Sequence, residues 1–269
     1  MQTTDTDAYL ERIGARRPVA PTLGALRELH LRHVITVPFE NLSIHLGEEI
    51  ALEGAALVDK VVRRARGGFC YELNGAFAEL LTALGYRVSL LAGRVSGPEG
   101  RLGIPFDHMA LQVDIEGNEK EGEEGAGESF LVDVGFGRNS QVPLRLDERG
   151  EQADPSGVFR IVETQEGDLD VIRNGEVQYR LERRPRELAD FEGGSWWHRT
   201  SPQSLFTRSV LCSRPTGSGG RITLAGRTLI TSGPGGREER TLTDQEVLPA
   251  YREHFGIELE RIPQVRPLA

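Results

Sequence analysis

Arg66-Gly67-Gly68-Phe69-Cys70-Tyr71-Glu72-Leu73-Asn74 sets a cysteine between a glycine pair and an amphipathic stretch. From Leu73 the apolar residues Leu73, Ala76, Phe77, Leu80, Leu81 and Leu84 recur at helical spacing, and Gly85 sits where a C-terminal cap belongs. The spacing predicts a helix with Cys70 in its first turn. Backbone N–H groups there lack intrahelical partners and the helix dipole is positive, which favours a thiolate over a thiol. The thiolate is the nucleophilic form of cysteine. By itself, a cysteine near a helix start is more often a small buried apolar residue.

Upstream of that run the chain reads helical. Leu23, Leu26, Leu29 and Val34 predict a helix capped by Thr22 and ended before Pro38. Leu57, Val58, Val61, Val62 and Ala65 give a second stripe, stopped by Gly67-Gly68. Downstream of Gly85 the period changes. Arg87 to Val95, His108 to Ile115 and Phe130 to Val134 read as strands. Asn174-Gly175 inside the run from Val171 to Tyr179 marks a two-residue hairpin turn. This middle stretch predicts a small antiparallel barrel or sheet. Glycine-rich turns near Gly217–Gly220 and Gly233–Gly236 separate further strands. Thr243-Asp244-Gln245-Glu246 is a capping box for a last helix that stops near Gly256. Two segments read as mobile: the acidic, glycine-rich run from Gly117 to Glu128, and Ser213 to Gly220.

Alternation over His108-Met109-Ala110-Leu111-Gln112-Val113 and Phe130-Leu131-Val132-Asp133-Val134 predicts an antiparallel hairpin with the acidic run at its tip. His108 opens the first strand and Asp133 lies near the end of the second, so pairing brings them together. A carboxylate beside an imidazole orients the ring and stabilises its protonated form. If the hairpin packs on the cysteine helix, Cys70, His108 and Asp133 make a nucleophile–base–orienter set. Singly, His108 also fits a satisfied core or surface histidine, and Asp133 fits a turn start before Val134-Gly135-Phe136-Gly137. Asp107 is a second carboxylate beside His108, placed to compete for the imidazole.

Composition narrows the class. The 269 residues carry a net charge of −9 with 38% apolar content, enough for a core and without a basic stripe for nucleic acid. No apolar run approaches about 18 residues, so no membrane span is expected. The first residues, MQTTDTDAYLERIG, show no secretory pattern, and Cys70 and Cys212 read as reduced thiols of a cytoplasmic protein. No CxxC pair or tight His/Cys cluster is present, so no metal is expected. Cys212 reads as an inert thiol in a strand-like run from Phe206 to Ser213. Trp196 and Trp197 are expected to pack inside the last third. His30, His33, His45, His198 and His254 show no partner in the sequence. Arg66 and Glu40 fit either solvated loop charges or a buried pair that ties the Pro38-Phe39 loop to the glycine turn.

Taken together, the motifs resemble the arylamine N-acetyltransferase family. The residues that carry this are Val37-Pro38-Phe39-Glu40-Asn41-Leu42, the run Arg66 to Asn74, His108-Met109-Ala110-Leu111, Leu131-Val132-Asp133-Val134-Gly135-Phe136-Gly137, and Ser201-Pro202-Gln203-Ser204-Leu205-Phe206. They span nearly the whole chain in the family's order. The resemblance implies an α+β fold in three parts: a helical bundle over 1–85, an antiparallel β-barrel over 86–192 and an α/β lid over 193–269. It implies a Cys70-His108-Asp133 triad of papain-like and transglutaminase-like geometry. It further implies acetyl-CoA as co-substrate and a small aromatic amine or hydrazine as acceptor, joined by a ping-pong route through an acetyl-cysteine. Val134, Gly135, Phe136 and Gly137 resemble the segment near the CoA and acyl group. Phe39, Phe69, Phe136 and Phe206 match cleft-shaping positions, and each is also an ordinary core candidate. The family match favours the buried reading of Arg66 and Glu40. The acidic run over 117–128 has no counterpart in the family pattern. An amide synthase of polyketide assembly and a cysteine hydrolase or transglutaminase are the alternative enzymes with such a triad.

Overall fold

Thr22 accepts the Ala25 N–H at 3.3 Å and opens the helix that the leucine spacing predicts. It is the second of five helices in the first part of the computed structural model, which describes residues 1, 3–116, 127–137, 140–217 and 219–265. These are α1 (Thr3–Ile13), α2 (Leu23–Thr36), α3 (Leu42–Leu46), α4 (Gly54–Val62) and α5 (Cys70–Ala83), with a short strand β1 (Phe39–Glu40) before α3. Helix α4 stops at Val62, earlier than its apolar stripe suggests. Ala65 instead takes a left-handed φ of 49°, and the Arg66 N–H returns to the Lys60 carbonyl at 3.0 Å. That hook delivers the chain to the glycine pair. Tyr9, Leu26, Leu29, Leu57, Val61, Leu73, Phe77 and Leu80 form the helical core, which continues into Leu111, Val113, Phe130 and Val132 of the following sheet.

That sheet has eight strands: β2 (Arg87–Val95), β3 (His108–Ile115), β4 (Glu128–Val132), β5 (Leu144–Arg145), β6 (Gln152–Asp154), β7 (Gly157–Glu163), β8 (Leu169–Arg173) and β9 (Glu176–Arg186). All neighbours are antiparallel in the order β5-β4-β3-β2-β9-β8-β7-β6. The two edges meet through one side chain. The Arg145 N–H donates to Gln152 Oε1 at 2.8 Å, and Gln152 Nε2 donates to the Arg145 carbonyl at 3.0 Å. The sheet is therefore a nearly closed barrel, filled by Leu91, Leu131, Phe159, Ile161, Val171 and Leu181. Asn174 and Gly175 take φ of 51° and 84°, the left-handed pair that a two-residue hairpin turn requires. Strand β4 ends at Val132, short of the predicted Val134. The Val134 and Gly135 N–H groups leave the ladder for Asn74 Oδ1 and Asp133 Oδ1, each at 3.0 Å. Of the acidic run, residues 117–126 lie outside the described residues.

The last third contains α6 (Glu192–Thr200), α7 (Leu205–Arg208), β10 (Leu211–Pro215), β11 (Arg221–Ala225), β12 (Thr228–Gly233), β13 (Gly236–Thr241) and α8 (Asp244–Phe255). Strand β1 crosses over to join it, giving a five-stranded sheet ordered β1-β10-β11-β12-β13. Phe39 and Glu40 pair there with Ser213 and Cys212. Helix α8 starts at the predicted capping box and ends on Gly256 in the left-handed region, with Val247, Tyr251 and Phe255 packed on Cys212 and Leu224. Three expectations change. Phe206 belongs to α7, because Ser204 caps that turn by accepting the Phe206 N–H at 3.1 Å. Ser213 to Pro215 are strand residues, so the segment predicted as mobile begins as ordered ladder. Trp196 is 60% exposed on α6 and does not pack the interior. Among the described residues, no helix is long and apolar enough to cross a membrane.

Candidate active site

Cys70 is the first residue of α5, and a rigid turn presents it. A Cβ on Gly67 would stand 1.9 Å from the Pro38 carbonyl oxygen, so only glycine fits there. Phe39 bridges to Gly68 in parallel, and the Glu40 N–H donates to the Gly68 carbonyl at 2.9 Å. Beneath the turn, Arg66 Nη2 meets Glu40 Oε1 at 3.0 Å with both side chains buried, the pair that the sequence suggested. Burial pushes the Glu40 carboxyl up, but Arg66, Lys60 and the Leu42 N–H prevail and hold it low. Glu72 accepts the Phe69 N–H at 3.2 Å and the Lys60 ammonium at 2.5 Å, which fixes the entry into α5.

The β3–β4 ladder pairs Leu111 with Val132, so His108 and Asp133 meet at its open end. His108 Nε2 lies 2.8 Å from Asp133 Oδ2. Asp133 also accepts from Asn74 Nδ2 at 2.9 Å, the Tyr179 hydroxyl at 2.9 Å and the Gly135 N–H at 3.0 Å. With Nε2 engaged, Nδ1 is the nitrogen left to face the nearby Cys70 side chain, which also favours the protonated ring. Burial pulls the imidazole pKa down, and the Asp133 charge and hydrogen bond outweigh it, raising it to about 10. Asp133 is held below the ordinary carboxyl range although burial opposes this, because His108, Asn74 and Tyr179 favour its charge.

Sequence reasoning missed Asn74. It sits one helical turn after Cys70 and reaches both strands, donating to the Met109 carbonyl at 2.6 Å and to Asp133. Its carbonyl oxygen accepts the Val134 N–H. Its signal was the position itself, a polar residue four places after the cysteine on an otherwise apolar face.

Cys70 and His108 open onto a cavity of about 540 Å3 lined also by Phe39, Gly135, Phe136, Gly137, Trp197, Leu205 and Phe206. A Cβ on Gly135 would lie 2.7 Å from Cys70 Cα, so glycine is what allows this loop against the helix start. Two residues of the family pattern do not line this cavity, Phe69 from the cleft set and Val134 from the segment near the CoA and acyl group. Phe69 is fully buried behind the wall, against Tyr71, His198 and Phe206. Val134 points into the helical core. Among the described residues, no group of His, Cys, Asp or Glu could hold a metal ion.

A family model described as N-acetyltransferase matches residues 22–265. Arylamine N-acetyltransferase 1 of Homo sapiens is 32% identical over 96% of this chain and 95% of its own. Arylamine N-acetyltransferase of Escherichia coli is 34% identical over 93% and 87%. The chain belongs to the arylamine N-acetyltransferase family. It is therefore related to acyltransferases along nearly its full length. The solved arylamine N-acetyltransferase of Salmonella typhimurium superposes with a TM-score of 0.85 at 30% identity, covering 99% of this chain and 96% of that one. That of Mycobacterium marinum in complex with CoA gives 0.79 at 34% identity, covering 94% and 92%.

Asp107 does not compete for His108, contrary to the sequence expectation. Its Oδ2 accepts the Val95 N–H at 3.0 Å, and its Oδ1 lies 3.1 Å from His198 Nε2. His198 is thus buried with a partner and also lines the cavity. Two further histidines pack on Phe77 in the helical core. His30 and His33 are fully buried, and desolvation pulls them down to about 4 and about 3.

Proposed function

We propose that this chain moves an acetyl group from acetyl-CoA to small aromatic amines and hydrazines, through an acetyl-cysteine on Cys70. The observation that carries the reading is His108, held between Asp133 at 2.8 Å and the Cys70 side chain at the mouth of an aromatic cavity. An imidazolium beside a cysteine at a helix start favours thiolate. Cys70 Sγ attacks the acetyl carbonyl, the bond to the CoA sulfur breaks, and the departing thiolate takes the proton from His108. The amine nitrogen then attacks the acetyl-cysteine and passes its proton to His108 as Cys70 leaves as thiolate. N–H groups at the start of α5 stabilise the oxyanion of each tetrahedral intermediate.

The surroundings fit both substrates. Phe39, Phe136 and Phe206 offer faces to an aryl ring and keep water from the acyl-cysteine. A second cavity of about 630 Å3 shares Phe39, Gly137 and Leu211 with the first and carries Arg173, Arg221 and Arg237 on its wall, a cationic surface for the phosphates of CoA. The thioester then lies along Gly135–Gly137, with its sulfur toward Cys70. In this reading the three units run over 1–85, 86–192 and 193–269 and the enzyme works in the cytoplasm.

Incubation with acetyl-CoA alone is expected to add one acetyl group to the peptide that contains Cys70, read by mass spectrometry. Cys70→Ser is expected to lose transfer by about six orders of magnitude while keeping the fold. Acetylation of Cys212 with Cys70 unmodified would sink the assignment. Hydrolysis of amides without acetyl-enzyme would favour the hydrolase alternative.

A further inference from the structure

The cavity holds a second imidazole–carboxylate pair that the acyl-transfer steps leave unused. Asp107 stands at the end of a deliberately bent segment. Phe106, an aromatic residue, takes a left-handed φ of 58°, held by the Tyr71 hydroxyl on its carbonyl at 2.6 Å. Two glycines make the room. A Cβ on Gly103 would lie 1.9 Å from Asp107 Oδ2, and one on Gly194 would lie 2.3 Å from the Phe106 carbonyl oxygen. Gly194 lets α6 dock against the bend, and one turn later α6 delivers His198 to Asp107.

The hydrogen bonds fix the orientation of this pair. His198 Nε2 donates to Asp107 Oδ1 at 3.1 Å and to the Asp107 carbonyl at 3.0 Å. His198 Nδ1 faces Ser204 Oγ at 3.4 Å. Ser204 Oγ accepts the Phe206 N–H and keeps its own proton and a second lone pair for Nδ1. Among the described residues Asp107 has no lysine or arginine partner, and it lies on the cavity wall with His198 and the Val95 N–H as its donors. Trp197 and Phe206 line the same cavity and pack against His198.

We propose that Asp107 selects the acceptor, binding the amidinium, guanidinium or ammonium end of a cationic arylamine, with His198 as its positioning residue; the inference rests on the acyl-transfer reading above. A planar amidinium meets a carboxylate through two parallel N–H bonds, and its aryl ring lies between Trp197 and Phe206. The exposed Arg101 also lines the cavity, while His108 is already paired with Asp133.

Three planar isosteres separate the cases: 4-aminobenzamidine, 4-aminobenzamide and 4-aminobenzoate. Calorimetric titration of the unacylated protein is expected to rank them in that order, with the amidine at least about tenfold tighter than the benzoate. Transfer rates from preformed acetyl-enzyme should follow the same rank. Asp107→Asn should narrow the span about tenfold, and His198→Gln should narrow it several-fold, because the carboxylate is then less firmly held. If Asp107→Asn fails to fold, the wild-type span itself is read at low and high ionic strength and should shrink with salt. A benzoate that binds as tightly as the amidine overturns the proposal, as does a span unchanged by Asp107→Asn or by salt. Failure to acetylate Cys70 would sink the acyl-transfer reading instead, since the binding rank is measured without any chemistry.

Discussion

Two histidine–aspartate pairs face one cavity, and they differ in what the ring's other nitrogen meets. In the first, His108 sits 2.8 Å from Asp133 and turns to a thiol at a helix start. In the second, His198 sits 3.1 Å from Asp107 and turns to Ser204, a hydroxyl spent on capping α7. The carboxylates are held differently too. Asp133 collects Asn74, Tyr179 and Gly135 as further donors, whereas Asp107 has Val95. The same pair of side chains is thus an acid–base device in the proposed acyl transfer and a recognition element in the proposed acceptor site. The third partner decides, more than the pair.

The sharpest break of this comparison is Asp133→Asn. It should lower kcat/KM by about four orders of magnitude, since an amide neither orients nor charges the ring correctly. The His108 titration, followed by imidazole NMR signals, should fall from about 10, because the Asp133 charge then no longer offsets burial. Losses of equal size in Asp133→Asn and Asp107→Asn would erase the distinction between the pairs.

A second, smaller effect lies in the alkaline range. The fold raises the His108 pKa from 6.5 to about 10, so the pair's stabilisation is complete below pH 6.5 and is lost as pH climbs through 10. Between pH 7 and 10 the wild type should lose on the order of 3–5 kcal/mol of unfolding free energy. His108→Gln, which cannot titrate, should show a flatter profile in denaturant titrations. The same slope in both proteins would place the alkaline lability elsewhere.

The smallest effect works from the acid side and reaches the first pair from behind. His30 is fully buried on α2, with Nε2 3.1 Å from the Ser140 carbonyl, in the loop that follows Asp133. Its pKa is lowered to about 4, so the unfolded chain binds its proton first as pH falls below 6.5. Stability should drop by about 3 kcal/mol between pH 6.5 and pH 4 through this group. His30→Gln should remove that part of the acid slope; an unchanged slope would shift the origin to His33.

Much of the first pair was legible in the sequence, and the second was not. Alternation over His108–Val113 and Phe130–Val132 set one hairpin register, and that register alone brings His108 to Asp133. The helical stripe after Leu73 placed Cys70 at a helix start. These are local patterns with fixed periods. Asp107 and His198 are 91 residues apart. Their meeting depends on the bend at Phe106 and on Gly194 docking α6, neither of which has a period to read. Asp107 also sits just outside β3, where strand alternation no longer says which way a side chain faces. Phe69 and Val134 fell on the wrong side of the cavity wall for a related reason. Motif order names neighbours of the cysteine, but burial decides which of them the cavity reaches.

Strand β1 is only two residues long, yet Phe39 and Glu40 touch the cysteine turn on one edge and Ser213 and Cys212 on the other. The partners on that second edge are made late in synthesis. A ribosome that has released only the first two-thirds of the chain has already delivered Cys70, His108 and Asp133, but has not supplied the strand that clamps the turn. Closing so long a loop is a slow, cooperative step. A nascent or truncated chain ending before β10 therefore carries Cys70, His108 and Asp133 without the strand that clamps the cysteine turn.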